Sequence, residues 1–185
     1  MKLFIFSALL LVSSSNLQTT SAKKKWLVED KLIWKDFLGK VPENPEHSAF
    51  TVFNFDIKTF PQADSVEIEL IASFHKKESW VKKDHLKDAY LLSHEQFHFD
   101  IGEWYARKLR QKLFTAKYTV KTFNTQLNKI IKDVQTEMHA ATILYDKQTN
   151  HSLIKEQQAL WEKKITEGIS LLNAFSKTRI KVVVK

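Results

Sequence analysis

The sequence has no cysteine, which excludes disulfides, thiolate metal ligands and a lipid-modified cysteine, so any transition-metal site must be built from imidazole and carboxylate. It has no apolar run long enough to cross a bilayer: the stretch Leu3 to Val12 is about half of the roughly 20 residues a spanning helix needs. No proline occurs between Trp80 and the last residue, so the second half carries no helix breaker of that kind. No internal repeat or low-complexity segment is present. The formal charge is +8, yet apart from Lys23-Lys24-Lys25 the lysines are scattered along every segment. That distribution describes a solvated basic surface rather than a nucleic-acid footprint.

What is present begins with a leader. Lys2, the apolar run and the small residues ending at Ala22 have the order of a secretory signal peptide cleaved near Ala22. Residues 23–185 are then the size of one compact domain, expected to be secreted or periplasmic.

Along that domain, Trp34 and Phe37 are spaced to plug into a core from a loop or short turn, and Gly39, Pro42 and Pro45 break regular structure after them. Ala49 to Phe60 and Ser65 to His75 alternate apolar and polar residues with strand period. Pro61 to Asp64 supplies a turn, which makes the pair an antiparallel hairpin with one face on the core. Lys82 to Phe114 reads as a helix capped by Ser79 or Asp84, Val120 to about Tyr145 as a second, and a third starts near Leu153. Thr178 to Val184 is β-branched and suits a terminal strand. The expected class is α+β.

The first helix carries the chemistry. His94 and His98 lie four residues apart around Glu95 in His94-Glu95-Gln96-Phe97-His98. On a wheel of about 100° per residue with His94 at zero, His98 falls at about 40°, Ile101 at about 340°, Tyr105 at about 20° and Glu95 at about 100°. The two imidazoles therefore stand one above the other, on a stripe that continues into apolar and aromatic residues. Neutral imidazoles at this spacing suit zinc, and the adjacent glutamate can take a proton from the metal's water. Asp100, at about 240°, is a poor ligand. A shuffled chain of this composition shows the motif about once or twice in a hundred, so its flanks matter. Ala89, Leu91 and Leu92 before it and the amphipathic run to Leu113 after it fit a zinc helix.

A catalytic zinc usually takes a third protein ligand and leaves one position for water. Downstream candidates are His151, Asp146, Glu137 and His139. His151 is preferred because it falls between two helices, where a loop can turn back. Asp146 is an alternative ligand or the acceptor that orients a ligating histidine, Glu137 is the choice from a helix, and His139 belongs to a helix face. Tyr145 is a candidate to stabilise the oxyanion.

The combination of Trp34-x-Asp36-Phe37-x-Gly39, His94-Glu95-Gln96-Phe97-His98-Phe99-Asp100-Ile101 and Tyr145-Asp146-x-x-Thr149-x-His151, followed by Gln157 and Trp161, resembles the bacterial domain of unknown function 922 family of predicted secreted zinc-dependent proteases. The likeness spans nearly the whole mature chain. It implies a zincin-like fold, a small antiparallel sheet on three long helices, with His94 and His98 as Zn²⁺ ligands, Glu95 as catalytic acid/base and His151 as third ligand. The family pattern favours glycine after that histidine, where this chain has Ser152. The expected activity is hydrolysis of a peptide or protein substrate by metal-activated water, with Glu95 as general base. The alternative is an exported, non-catalytic metal- or partner-binding protein on the same frame. No membrane span and no nucleic-acid partner are expected.

Overall fold

A computed structural model describes residues 21–185, so all but the last two residues of the leader expected over residues 1–22 lie outside the described residues. The longest strand, β4 (Ser65–His75), organises the main sheet. Its alternate residues Val66, Ile68, Leu70, Ala72 and Phe74 are all buried towards the helices. β3 (Phe53–Pro61) runs antiparallel along one edge, from Phe53 opposite Phe74 to Pro61 opposite Val66. The turn expected between them is closed by Gln62 N–H donating to the Ser65 carbonyl at 2.8 Å. β1 (Lys23–Lys25) and β6 (Arg179–Val183) share the other edge, paired antiparallel with the two ends of β4. A second, two-stranded sheet joins β2 (Ala49–Phe50) to β5 (Trp80–Val81).

The three lysines of β1, to which the sequence reading assigns no element, form a strand. Its backbone pairs with β4, and Lys24 turns inward to Asp30 at 2.7 Å and Asp36 at 3.0 Å. Asp36 also takes Lys76 at 2.9 Å, so one buried carboxylate gathers a lysine from β1 and one from the turn just after β4. Asp36 closes the short 3-10 turn at Trp34–Asp36. Beyond that turn, Phe37 packs edge-on against Phe74 with ring centroids 5.1 Å apart, the anchoring role expected of this segment.

Three helices follow: α1 (Ala89–Thr115), α2 (Phe123–Thr149) and α3 (Lys155–Leu171). α1 starts later than expected, because Lys83–His85 forms a separate 3-10 turn and the cap is neither Ser79 nor Asp84. Asp88 caps it, its carboxylate accepting from Leu91 N–H at 2.9 Å. The hydroxyl of Ser79 is already engaged by Val52 N–H at 2.8 Å and the His75 carbonyl at 2.9 Å.

α1 is the shared element, in contact with β3, β4 and β6 and with α2 and α3. Gly102 lets it approach β3 closely, since a Cβ there would meet the Phe53 ring at 2.7 Å. The fold is thus α+β, with three helices and small antiparallel sheets among the described residues. No described helix is long and apolar enough to cross a membrane.

Candidate metal centre

His94, Glu95 and His98 all lie on α1, at 2 %, 3 % and 6 % exposure, which a solvated helix with two incidental histidines would not show. The wheel assignment holds for their neighbours too: Ile101 and Tyr105 are buried on the same stripe. The register of α1 is fixed from the N-terminal side. Gln96 accepts from Leu32 N–H at 2.7 Å, and Asp100 accepts from the Trp26 indole at 2.6 Å and the Gln96 amide at 2.8 Å. Asp100 is therefore engaged as an acceptor away from the histidines, and its position on the wheel had marked it only as a poor ligand.

The third member of the group is Asp146. Its Oδ1 lies 3.2 Å from His94 Nε2 and 2.9 Å from His98 Nε2, and the two Nε2 atoms are 3.2 Å apart. Among the described residues, His94, His98 and Asp146 form the group able to hold a metal ion. Tetrahedral zinc with N and O ligands at about 2.0–2.1 Å requires ligand atoms roughly 3.3 Å apart, so the observed triangle has the size of one face of that polyhedron.

A second observation agrees with the donor set. Glu95 Oε2 is buried beside the group with no hydrogen-bond partner, and a buried carboxylate oxygen is costly unless something meets it. The residues present fit a zinc ion.

Electrostatics set most of the required protonation states. Burial, with the charge of His98, pushes His94 down despite Asp146. Burial would raise Asp146, but its hydrogen bonds to His94 and His98 and their charges outweigh it and hold the carboxyl well below the usual range. His98 goes the other way: burial lowers it, yet the hydrogen bond and charge of Asp146, with Glu95, leave it raised. A neutral His94 and an ionised Asp146 are ready to ligate, whereas at His98 a metal must compete with a proton.

His151 sits just outside this triangle. α2 runs one turn further than expected, carrying Asp146 on its last turns. The chain then reverses through Asn150, His151 and Ser152 at φ of 45°, 53° and 76°. The largest value falls on Ser152, and left-handed backbone strains a residue with a side chain. His151 is nevertheless delivered to the site, its Nδ1 3.5 Å from Asp146 Oδ1 and its side chain half-exposed.

The residue that sequence reasoning missed is His47, whose ring lies 4.4 Å from that of His151. Nothing in its sequence neighbourhood marks it, because the contact joins residues more than a hundred positions apart. Together they border a cleft of about 320 Å³, lined also by Glu46, Ala49, Asn150 and Leu153 and by the buried His94 and Glu95.

Two other candidates stand elsewhere. Tyr145 is fully buried, its ring stacked 4.6 Å from that of His94 and its hydroxyl donating to the His94 carbonyl at 3.4 Å. It is a wall for the imidazole, not a donor in the cleft, and burial pushes its hydroxyl pKa up. Glu137 pairs with Lys112 at 2.8 Å on the surface, about 14 Å along α2 from Asp146, and does not join the group.

A family model described as "Bacterial protein of unknown function (DUF922)" matches residues 47–152, more than half of the chain. The chain belongs to this family. The matched residues include His47, His94, Glu95, His98, Asp146 and His151, so the DUF922 region contains the whole candidate centre. No curated protein and no solved structure matches the chain.

Proposed function

We propose that this DUF922 protein is an exported zinc-dependent metallopeptidase of zincin-like fold. The observation that carries the reading is the triangle of His94 Nε2, His98 Nε2 and Asp146 Oδ1, beside the unpartnered carboxylate of Glu95 at the base of an open cleft. His94, His98 and Asp146 would hold the ion, with His151 in reach as a further ligand or as a donor to the substrate's carbonyl oxygen. When bound, zinc supplies a Lewis acid and lowers the pKa of its water towards ~7.

The chain's own part is proton handling. Glu95 accepts the proton of the water that adds to the peptide carbonyl, then delivers it to the amine nitrogen as the C–N bond breaks. The Tyr145 ring, stacked on His94, fixes the plane of that imidazole.

The test begins with elemental analysis of the purified protein and its His94→Ala, Asp146→Ala and His151→Ala variants. About one zinc per chain is expected, lost in the first two. Peptide hydrolysis by the zinc-loaded protein should be abolished in Glu95→Gln while zinc is retained. Full activity in that variant would sink the mechanism. Stoichiometric zinc with no cleavage at any pH would instead establish the alternative, a non-catalytic metal-binding protein.

A further inference from the structure

We infer that His47 is a positioning residue, which pins the ring of His151 as the donor to the substrate's carbonyl oxygen and not as a ligand of the ion; this rests on the peptidase reading. The backbone around His151 is held firmly, but its ring is not. Asn150, His151 and Ser152 all occupy left-handed backbone, which persists only where the surroundings enforce it. Three bonds do so: His151 N–H to the Asp146 carbonyl at 3.1 Å, Leu153 N–H to the Asn150 carbonyl at 3.2 Å and Ile154 N–H to the Thr149 carbonyl at 2.8 Å. None of them reaches the imidazole. Its Nδ1 is 3.5 Å from Asp146 Oδ1, beyond the length of a normal N–H···O bond, and the side chain is 46 % exposed.

What meets that ring is a series of aromatic side chains. His47 lies against it with centroids 4.4 Å apart and planes tilted by 37°. His47 in turn stacks on Phe50 at 6.3 Å and 14°, and Phe50 on Trp80 at 6.2 Å and 20°. Phe50 and Trp80 are partners in the β2–β5 sheet, and Trp80 is buried. The series ties a half-exposed imidazole to a pair of strands, at separations where aromatic rings attract one another.

Ligand count and access favour a donor. His94, His98 and Asp146 already supply the three protein ligands that leave a catalytic zinc one position for water, and a further imidazole would take it. His47 and His151 line the same cleft as His94 and Glu95, so a carbonyl brought to the ion shares that recess with the pinned ring. An imidazole N–H there binds the oxygen more strongly as negative charge develops on it, and a ring already in place does so without reorganising. Losing the pin should therefore cost rate rather than substrate binding.

The experiment compares the zinc-loaded parent with His47→Ala, His47→Phe, His151→Ala and the double variant His47→Ala/His151→Ala. On one quenched-fluorescent peptide, kcat should fall about 100-fold in His151→Ala and about 10-fold in His47→Ala, with KM nearly unchanged. His47→Phe keeps a ring against His151 and should recover to within about 3-fold of the parent. The double variant should be no worse than His151→Ala, because His47 acts through that ring. Zinc stoichiometry and affinity should be unchanged in all four.

Loss of zinc from His151→Ala would make His151 a ligand and overturn the inference. A parental kcat in His47→Ala would overturn it too and leave the peptidase reading standing. A phosphinic peptide, whose tetrahedral oxygens mimic the adduct, keeps the two separable, since its affinity should fall in His47→Ala and return in His47→Phe. If the unmodified protein cleaves nothing, the peptidase reading fails on that result alone. Phosphinic-peptide binding unchanged in His47→Ala would then overturn the inference as well, whereas weakened binding restored by phenylalanine would uphold the pinned donor.

Discussion

Replacing Glu103 with leucine tests how α1 is held. Glu103 is buried at the centre of the helix and receives Arg107 Nε at 2.8 Å and Arg110 Nη2 at 3.0 and 2.9 Å. Arg110 is fully buried and Arg107 nearly so. Both reach onward to backbone carbonyls at the C-terminal end of α3 and after it, Arg107 to Ile169 at 2.9 Å and Arg110 to Phe175 and Lys177. Leucine conserves most of the volume but removes the negative charge, leaving two guanidinium groups with only neutral acceptors. Breaking a buried pair from one side costs about 3–5 kcal/mol, and the surviving carbonyl bonds favour the lower half of that range. For a domain of this size the melting temperature should fall by roughly 6–15 °C, read by calorimetry and by urea denaturation followed through far-ultraviolet dichroism. The triple variant Glu103→Met, Arg107→Leu, Arg110→Met removes every charge together and should recover to within about 2 kcal/mol of the parent. A loss below about 1 kcal/mol in Glu103→Leu, or a triple variant worse than the single one, would refute the reasoning.

The same structure makes further predictions. Burial would raise the Asp36 carboxyl, but Lys76, the Ile33 N–H and Lys24 hold it below its ordinary value. Its folded pKa is thus lower than its unfolded one, so its stabilisation is present above about pH 4 and is lost as pH falls through the folded value. Asp36→Asn should flatten the acid limb of the stability–pH profile, and an unchanged limb would count against the cluster. A Cβ on Gly168 would meet the Trp104 indole at 2.3 Å, so Gly168→Ala should destabilise by about 1–3 kcal/mol and shift the tryptophan emission. Asp88→Ala should cost about 0.5–2 kcal/mol through the lost cap of α1, whereas Asp88→Asn should stay near the parent in the same melting assay.

The hairpin, the three helices and the terminal strand were legible because each rests on a local period: β4 alternates from Val66 to Leu70 before it becomes buried on both faces, and α1 keeps its stripe from Leu91 to Leu113. β1 was not, since three consecutive lysines have no strand period. They form a strand because the free edge of β4 offers hydrogen-bonding partners and Asp36 and Asp30 neutralise Lys24. The buried arginines of α1 were equally hidden. A helix enclosed on several sides needs charges satisfied at a distance, here by carbonyls more than sixty residues away.

In the candidate centre, the histidine pair was fixed by helical geometry alone, but the third donor depended on where α2 ends. Ending that helix near Tyr145 puts Asp146 and His151 in one loop and makes the histidine the natural ligand. The helix instead continues to Thr149, whose buried hydroxyl donates to the Tyr145 carbonyl at 2.8 Å, while Trp161 from α3 donates to Gln148 at 2.7 Å. One extra turn sets Asp146 on the face of α2 that meets α1 and moves His151 past the helix end, onto the cleft wall. The end of α2 that places Asp146 beside the histidines is thus held by these two side-chain bonds together with the backbone bonds of Asn150 and His151 N–H to the Asp146 carbonyl and of Ile154 N–H to the Thr149 carbonyl. Gln148→Ala removes one of them. It should loosen the last turn of α2 and weaken zinc binding about 10-fold without altering any atom within the triangle, the size of effect seen when a group supporting a metal ligand is lost. Unchanged zinc affinity in a titration of Gln148→Ala would show that the end of α2 is held by something else.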